Sequence, residues 1–348
     1  MRNNLFEATG AHVLVDGQYG STGKGVLAAW LALQAMSQGV FPHFVISNAG
    51  PNSGHTFYHG SEKVVLKQLP TFAVASAMLG HAPDIFLSAG AIIDPEILRR
   101  EAEMYPGNII IHPNAAVITQ EDKDSEHSGT VAAVAGTRSG TGAALARKVL
   151  RDPSATYGAF SFSRGTPRNV SVGVPALRWD IERYFVEVSQ GFSLGINQQF
   201  YPHCTSRECT VSQALSDACL PPNAHAKTYM AIRTFPIRVG NVDGFSSGDW
   251  YPDQMETSWD ELGVNPELTT VTQRIRRVAT FSREQLEDAC RANSPDFVFV
   301  NFMNYLPKNE QSGFIDAISE IRDGVFRWFD VIRCFGATSA DVRPYEID

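Results

Sequence analysis

The residues best suited to chemistry in this chain fall in four short segments. The first, Gly17–Gly25, reads G-Q-Y-G-S-T-G-K-G, with Ser21 at its centre. An apolar run, Val13–Val15, precedes it, and Val26–Met36 reads as a helix after it. Glycines let the backbone approach a phosphate, exposed N–H groups form a nest, and a helix start adds positive potential. Nucleotide binding is the expectation, with a bare structural turn as the alternative for such a loop by itself. The Walker pattern G-x-x-x-x-G-K-[ST] is not met: five residues separate Gly17 from Gly23, and Gly25 stands where the hydroxyl belongs.

The second segment, Asn48–Thr56 (N-A-G-P-N-S-G-H-T), follows the strand-like run Phe44–Ile46. Ligands of parallel α/β sheets sit at carboxyl ends of strands, so His55 could meet a phosphate as donor or general acid. A loop histidine with local hydrogen bonds is the plainer reading. The third, Ala135–Gly142 (A-G-T-R-S-G-T-G), leads into a helix expected to carry Arg147, Lys148 and Arg151. Its hydroxyls, free N–H groups and cations suit a second phosphate. The fourth, Thr269–Arg277 (T-T-V-T-Q-R-I-R-R), alternates Arg274 and Arg276. An extended loop would point both guanidinium forks to one side, matched to a carboxylate; a solvated basic loop is the alternative.

The elements that position these segments read as α/β. Short β-branched runs recur at Val13–Val15, Phe44–Ile46, Val64–Leu66, Ile85–Leu87, Ile109–Ile111, Phe297–Val300 and Val331–Cys334. Helical patterns at Pro95–Tyr105 and Gly313–Arg322 lie among them. This predicts a central, mostly parallel sheet flanked by helices, with a hairpin at Tyr58–Val65. Ser246–Thr270 is polar and rich in Gly, Pro and Asp, and reads as a long excursion rather than a boundary. No repeat or linker divides residues 1–348, so one large catalytic domain is expected.

Composition fits a soluble enzyme: 348 residues, 43% hydrophobic, 19% charged. A net charge of −8 without a long basic run argues against nucleic acid as partner. No apolar stretch approaches the roughly 18 residues of a membrane span. Met1–Gly10 lacks a signal-peptide pattern. Five scattered cysteines suit reduced thiols, so a cytoplasmic location is expected.

Taken together and in order, these segments resemble adenylosuccinate synthetase over nearly the whole chain. That family's G-D-E-G-K-G corresponds to Gly20–Gly25, and its N-A-G-H-T to Asn52–Thr56. Its Q-G and Y-P-x-x-T correspond to Gln190-Gly191 and Tyr201–Thr205, and its arginine-rich aspartate loop to Thr272–Arg277. The resemblance implies phosphorylation of O6 of a purine monophosphate, then displacement of that phosphate by aspartate. Position by position, it implies that His55 stabilises the transferring phosphoryl group. Ser21 and the Gly54 carbonyl would hold Mg²⁺. Gly23, Lys24, Gly25, Thr56, Phe302, Asn304 and Gly336 would bind the phosphoryl donor. Asn52, Thr137, Gln190 and Thr205 would hold the acceptor nucleotide, joined by Arg151 from the neighbouring subunit of a homodimer. Thr272, Arg274 and Arg276 would grip L-aspartate.

Two departures redirect the substrates. Ser21 stands where the family has its catalytic aspartate, which accepts the N1 proton of IMP. A serine hydroxyl stays protonated near neutral pH and cannot act as that base. It does leave room for a 2-amino group beside N1, so it favours dGMP or GMP, with Asp16 as a candidate for part of the lost charge. Where the family reads guanine of GTP with T-K-L-D, this chain has Asn301-Phe302-Met303-Asn304. An amide at position 304 can both donate to and accept from adenine, and Phe302 can stack, so ATP or dATP is the expected donor. This pair of changes resembles the phage branch that makes 2-aminoadenylosuccinate from dGMP for diaminopurine DNA. An ordinary IMP-using synthetase and a non-catalytic nucleotide-binding relative are the alternatives.

Overall fold

The computed structural model describes residues 5–6, 8–127, 134, 136–242, 244–269, 273–324 and 328–344. Ten strands form one sheet: β1 (Gly10–Asp16), β2 (Phe44–Ser47), β3 (Asp84–Leu87), β4 (Ile109–Ile111), β5 (Val170–Val172), β6 (Arg183–Glu187), β7 (His225–Arg233), β8 (Phe297–Asn301), β9 (Asp330–Cys334) and β10 (Val342–Pro344). Their spatial order is β10-β9-β8-β7-β1-β6-β2-β3-β4-β5, parallel throughout except for β10. The expected α/β architecture is therefore present.

A parallel sheet needs cover on both faces, and alternation along β1 supplies it. Leu14 packs into one core with Phe72, Phe185 and Phe297, while Val13 and Val15 enter the other with Tyr184, Met230 and Ile232. Helix α1 (Lys24–Gln38) starts directly from the glycine loop, two residues earlier than the apolar pattern suggests. The chain enters it through Gly23 at φ 81° and leaves through Gly39 at φ 65°, both left-handed. Its Leu27, Trp30 and Leu31 are buried against the sheet.

One reading changes and two details are added. Val64–Leu66 is not in the main sheet: Glu62–Leu66 pairs with His55–His59 as a separate hairpin, somewhat longer than Tyr58–Val65. The two neighbours of β1, namely β6 and β7, lack the β-branched runs that mark the other central strands. The Ser246–Thr270 excursion is a brace as well as a loop. Its Glu256–Thr257 pairs with Arg277–Ala279, which pairs in turn with Ile237–Arg238, fixing the chain just after Arg276. Among the described residues, no helix is long and apolar enough to cross a membrane.

One buried group makes acid stability measurable. His12 on β1 is 1% exposed, its Nε2 lies 2.9 Å from the Ala8 carbonyl, and burial lowers its pKa from 6.5 to about 4. The folded protein therefore resists a proton that the unfolded chain accepts. Stability associated with a neutral His12 is complete above pH 6.5 and declines as pH falls towards 4, by about 3 kcal/mol in all. Denaturant unfolding between those pH values checks this. A His12→Gln variant should flatten the slope, and an unchanged slope would sink the assignment.

Candidate active site

The predicted segments converge because five parallel strands present their carboxyl ends side by side. β1 delivers the Gly17–Gly25 loop, β2 the Asn48–Thr56 segment, β6 Gln190, β7 Arg233, and β8 Phe302. The order in which strands are added to the sheet reverses around β1, the kind of switch point where α/β sheets open a crevice. A cavity of about 350 Å³ lies there. Ser21, Asn52, Gly54, Thr137, Gln190, Thr205, Arg274 and Arg276 all line it.

The loop is organised by Asp16. This carboxylate, 1% exposed, accepts from the backbone N–H of Gln18 (2.8 Å) and Gly20 (3.1 Å), from the Thr22 hydroxyl, and from Lys24 Nζ (3.0 Å). All its acceptor capacity is directed into the loop and its charge is balanced by Lys24. Asp16 thus shapes the loop and does not stand in for a base facing the cavity. Lys24 is 3% exposed and donates also to the carbonyls of Gly20 (3.2 Å) and Gln190 (2.8 Å). An ammonium has three protons, and here each has a protein acceptor.

Glycine identity has specific causes at two positions. A Cβ on Gly191 would lie 2.2 Å from Gly20 N and 2.5 Å from the Gln18 carbonyl, so the Q-G pair exists to let the loop lie against the exit of β6. A Cβ on Gly25 would lie 2.3 Å from the Thr56 carbonyl. Gly25 and Thr56 therefore meet each other as helix start against hairpin, and neither lines the cavity.

His55 opens the hairpin beside Gly54. Its Nδ1 lies 2.8 Å from Glu187 Oε1, and Glu187 Oε2 accepts from Phe72 N at 3.1 Å. Burial alone would raise the Glu187 pKa, but the hydrogen bond and charge of His55 with backbone donors outweigh it and hold the carboxyl below its usual range. An ionised carboxylate on Nδ1 fixes the ring; His55 itself is not among the residues lining the cavity, which Asn52 to Gly54 reach just before it. Glu187 escaped sequence reasoning; its signal was an acidic residue closing the short strand R-Y-F-V-E.

The arginine segment also has more parts than expected. Arg276 is half-buried among charges: desolvation lowers its pKa from 12.5 to about 10, against an opposing pull from Glu267, with Arg233 adding to the lowering. Its Nε donates to the Leu268 carbonyl at 3.3 Å. Arg274 and Arg276 share the cavity wall, as the alternation predicts. Thr272 lies outside the described residues. Arg238, also missed, is 3% exposed and braces the wall through the carbonyls of Ser247, Asp249 and His203.

The third segment needs correction. Thr137 lines the cavity, with its hydroxyl 3.0 Å from that of Ser139. The N–H groups at the helix start are not free, however. Glu126 accepts from Gly140 (2.7 Å), Gly142 (2.7 Å) and Ala143 (3.1 Å). Arg147 forks onto Asp122 at 2.8 and 2.7 Å, and Lys148 donates to the Ala89 carbonyl at 2.6 Å. These two cations hold the fold and do not line the cavity. The helix ends at Val149, so Arg151 lies beyond it, exposed, in left-handed conformation at φ 64°.

Where the resemblance expects the phosphoryl donor, Phe302 also adopts a left-handed φ of 59° and its ring lies under the Arg233 guanidinium at 4.0 Å. A Cβ on Gly23 would come within 3.5 Å of that ring, which places the glycine loop against it. Asn304 is exposed in the turn Met303–Tyr305. Gly336 follows β9, where a side chain would strike Asp341 at 2.5 Å. Phe302, Asn304 and Gly336 thus follow two adjacent strands beside, and not within, the main cavity.

Comparison with known proteins agrees with this arrangement. A family model described as adenylosuccinate synthetase matches residues 174–311. The N6-succino-2-amino-2'-deoxyadenylate synthase of Vibrio phage phiVC8 is 36% identical over 322 residues, covering 89% of each chain. That of Salmonella phage PMBT28 is also 36% identical, covering 88% of this chain and 89% of the relative. Among solved structures, the succinoaminodeoxyadenylate synthetase of cyanophage S-2L, bound to dGMP and to dATP as an energy donor, superposes with a TM-score of 0.86. It is 32% identical over 98% of this chain and 97% of that one. At this identity and coverage, with the shared sheet and the converging loops, the chain belongs to the adenylosuccinate synthetase family, together with these phage synthases.

Proposed function

We propose that this chain is a C–N ligase joining L-aspartate to C6 of dGMP at the expense of ATP or dATP. The product is N6-succino-2-amino-2'-deoxyadenylate, a precursor of diaminopurine DNA in a phage. The observation that carries this reading is Ser21 on the cavity wall, with no carboxylate at that position, in a chain akin to phage synthases of that name. In the first step O6 of the guanine attacks the γ-phosphorus as the bond to the β,γ-bridging oxygen breaks. Guanine N1 releases its proton to solvent water as O6 attacks, and His55, oriented by Glu187, meets the transferring group through Nε2. In the second, the aspartate amine attacks C6, the C6–O6 bond breaks, and the amine proton passes to the departing phosphate or to solvent water.

Asn52, Thr137, Gln190 and Thr205 are assigned to the acceptor nucleotide, Arg274 and Arg276 to the aspartate carboxylates, with Thr272 proposed from the resemblance alone. Gly23, Phe302, Asn304 and Gly336 are assigned to the donor. Lys24, Gly25 and Thr56 support that side by shaping the loop and the hairpin. Ser21 and Gly54 both line the cavity, and a hydroxyl and a backbone carbonyl are oxygen donors of the kind Mg²⁺ takes. Among the described residues no group of three His, Cys, Asp or Glu side chains gathers there, so phosphate oxygens and water would complete the shell. The ion would supply charge neutralisation on the phosphates.

A homodimer is part of the reading. Arg151 lies away from its own cavity, next to Val149 and Leu150, which are 67% and 79% exposed. A monomer at micromolar concentration in a solution mass measurement would overturn this.

Crossing the acceptors IMP, GMP and dGMP with the donors GTP, ATP and dATP, in the presence of aspartate and Mg²⁺, tests the whole assignment. Turnover confined to IMP with GTP would sink it. Arg276→Ala is expected to raise the aspartate KM about 30- to 150-fold, the equivalent of about 2–3 kcal/mol for a charge-assisted fork. An unchanged aspartate KM would remove Arg276 from that role.

A further inference from the structure

Arg233 closes β7 and is completely buried, at 0% exposed. Its guanidinium touches three parts of the proposed site. Nη1 donates to the Ser21 carbonyl at 3.0 Å, and the two Nη groups fork onto Glu267 at 3.2 and 2.5 Å. The Phe302 ring lies 4.0 Å from its Cζ. Glu267 in turn accepts from the Tyr305 hydroxyl at 3.0 Å, and its backbone carbonyl accepts from Arg276 N at 2.9 Å. One ion pair therefore joins the acceptor loop, the arginine segment and the donor-side ring.

Two features separate this pair from an ordinary core brace. Buried ion pairs rarely raise stability, because desolvation consumes most of the Coulomb gain unless every polar group is paired. Here Arg233 Nε is buried without a hydrogen-bond partner. The charge balance is also incomplete: Glu267 lies in the field of both Arg233 and Arg276, two guanidinium groups facing one carboxylate. A substrate carboxylate arriving on Arg276 would complete that balance and leave Glu267 wholly to Arg233. The Arg233 fork would then be held more firmly on the Ser21 carbonyl and the Phe302 ring.

The geometry points to Arg233 and Glu267 as positioning residues that couple aspartate binding to binding of the acceptor and donor nucleotides. This rests on the proposed aspartate and nucleotide sites. Calorimetry on the full chain tests it, measuring aspartate Kd with and without dGMP plus a non-hydrolysable ATP analogue and Mg²⁺. Wild type should bind aspartate about fivefold or more tightly when the nucleotides are present. In Glu267→Gln and Arg233→Lys that factor should fall to within about twofold, and the double variant should be no worse than either single one.

Glu267 is partly exposed, with 24% of its side chain open, so Glu267→Gln keeps the test sound even where Arg233→Lys fails to fold. Uniform weakening of all ligands with the coupling intact would make the pair a structural brace and overturn the proposal. So would a wild type without coupling. Binding of IMP but not dGMP would overturn the acceptor assignment instead, and the coupling would then be read with IMP.

Discussion

Replacing His55 by alanine is expected to lower kcat with dGMP by about 10²–10⁴-fold, the range of a positioned proton-transfer or charge-stabilising group. The expectation follows from how the ring is held. Glu187 Oε1 lies 2.8 Å from Nδ1, and the carboxylate is anchored in turn by Phe72 N at 3.1 Å. Nε2, at the opposite edge of the ring, is then the atom available to a ligand, and the neighbouring residue Gly54 lines the cavity. Substrate KM values should move far less than kcat, because the interaction belongs to the transferring phosphoryl group and not to the resting nucleotides. Glu187→Gln keeps an acceptor near Nδ1 but loses the charge, so its loss should be smaller. Single-turnover release of phosphate reads the first and second steps together. A His55→Ala enzyme within threefold of wild type would remove His55 from the reaction.

The second large effect is expected at Ser21. Ser21→Asp should lower kcat/KM for dGMP by about 5- to 150-fold, corresponding to about 1–3 kcal/mol of overpacking, and should shift preference towards IMP. The argument depends on whether the loop can retreat to make room. It cannot do so cheaply, since the Ser21 carbonyl is held by Arg233 at 3.0 Å. Gly20 lies against the Gly191 backbone, and Asp16 fastens Gln18, Gly20 and Lys24 from beneath. A longer side chain must therefore extend into the space assigned to the 2-amino group. Competition assays with mixed dGMP and IMP measure the shift, and unchanged dGMP turnover would refute the crowding argument.

Much of this site was legible before any coordinates, because loops at strand ends carry local signals. Glycine spacing marked Gly17–Gly25, strand-then-polar composition marked Asn48–Thr56, and alternation put Arg274 and Arg276 on one wall. What stayed hidden depends on distant partners. β6 and β7 flank β1, yet Tyr184, Phe185 and Met230 replace the β-branched residues that would announce a central strand. Glu187 and Arg233 close those two strands, and their partners His55 and Glu267 lie 132 and 34 residues away. Arg147 and Lys148 show the opposite error. Their charges suited a phosphate, but long side chains turn where acceptors are, and Asp122 and the Ala89 carbonyl claim them.

The placement of β1 bears on how the molecule comes into being. Gly10 pairs with Arg183 and Ala11 with His225, so the strand carrying the glycine loop finds both its neighbours more than 170 residues downstream. During synthesis β1 emerges early with two bare edges and waits for most of the chain. Such distant pairing slows folding and prolongs exposure of unpaired strands. Helix α1 and the hairpin can condense locally, but the loop between β1 and α1 takes its working shape only once Gln190 and Arg233 have arrived. The loop's surroundings are therefore complete only after β7 has been laid down.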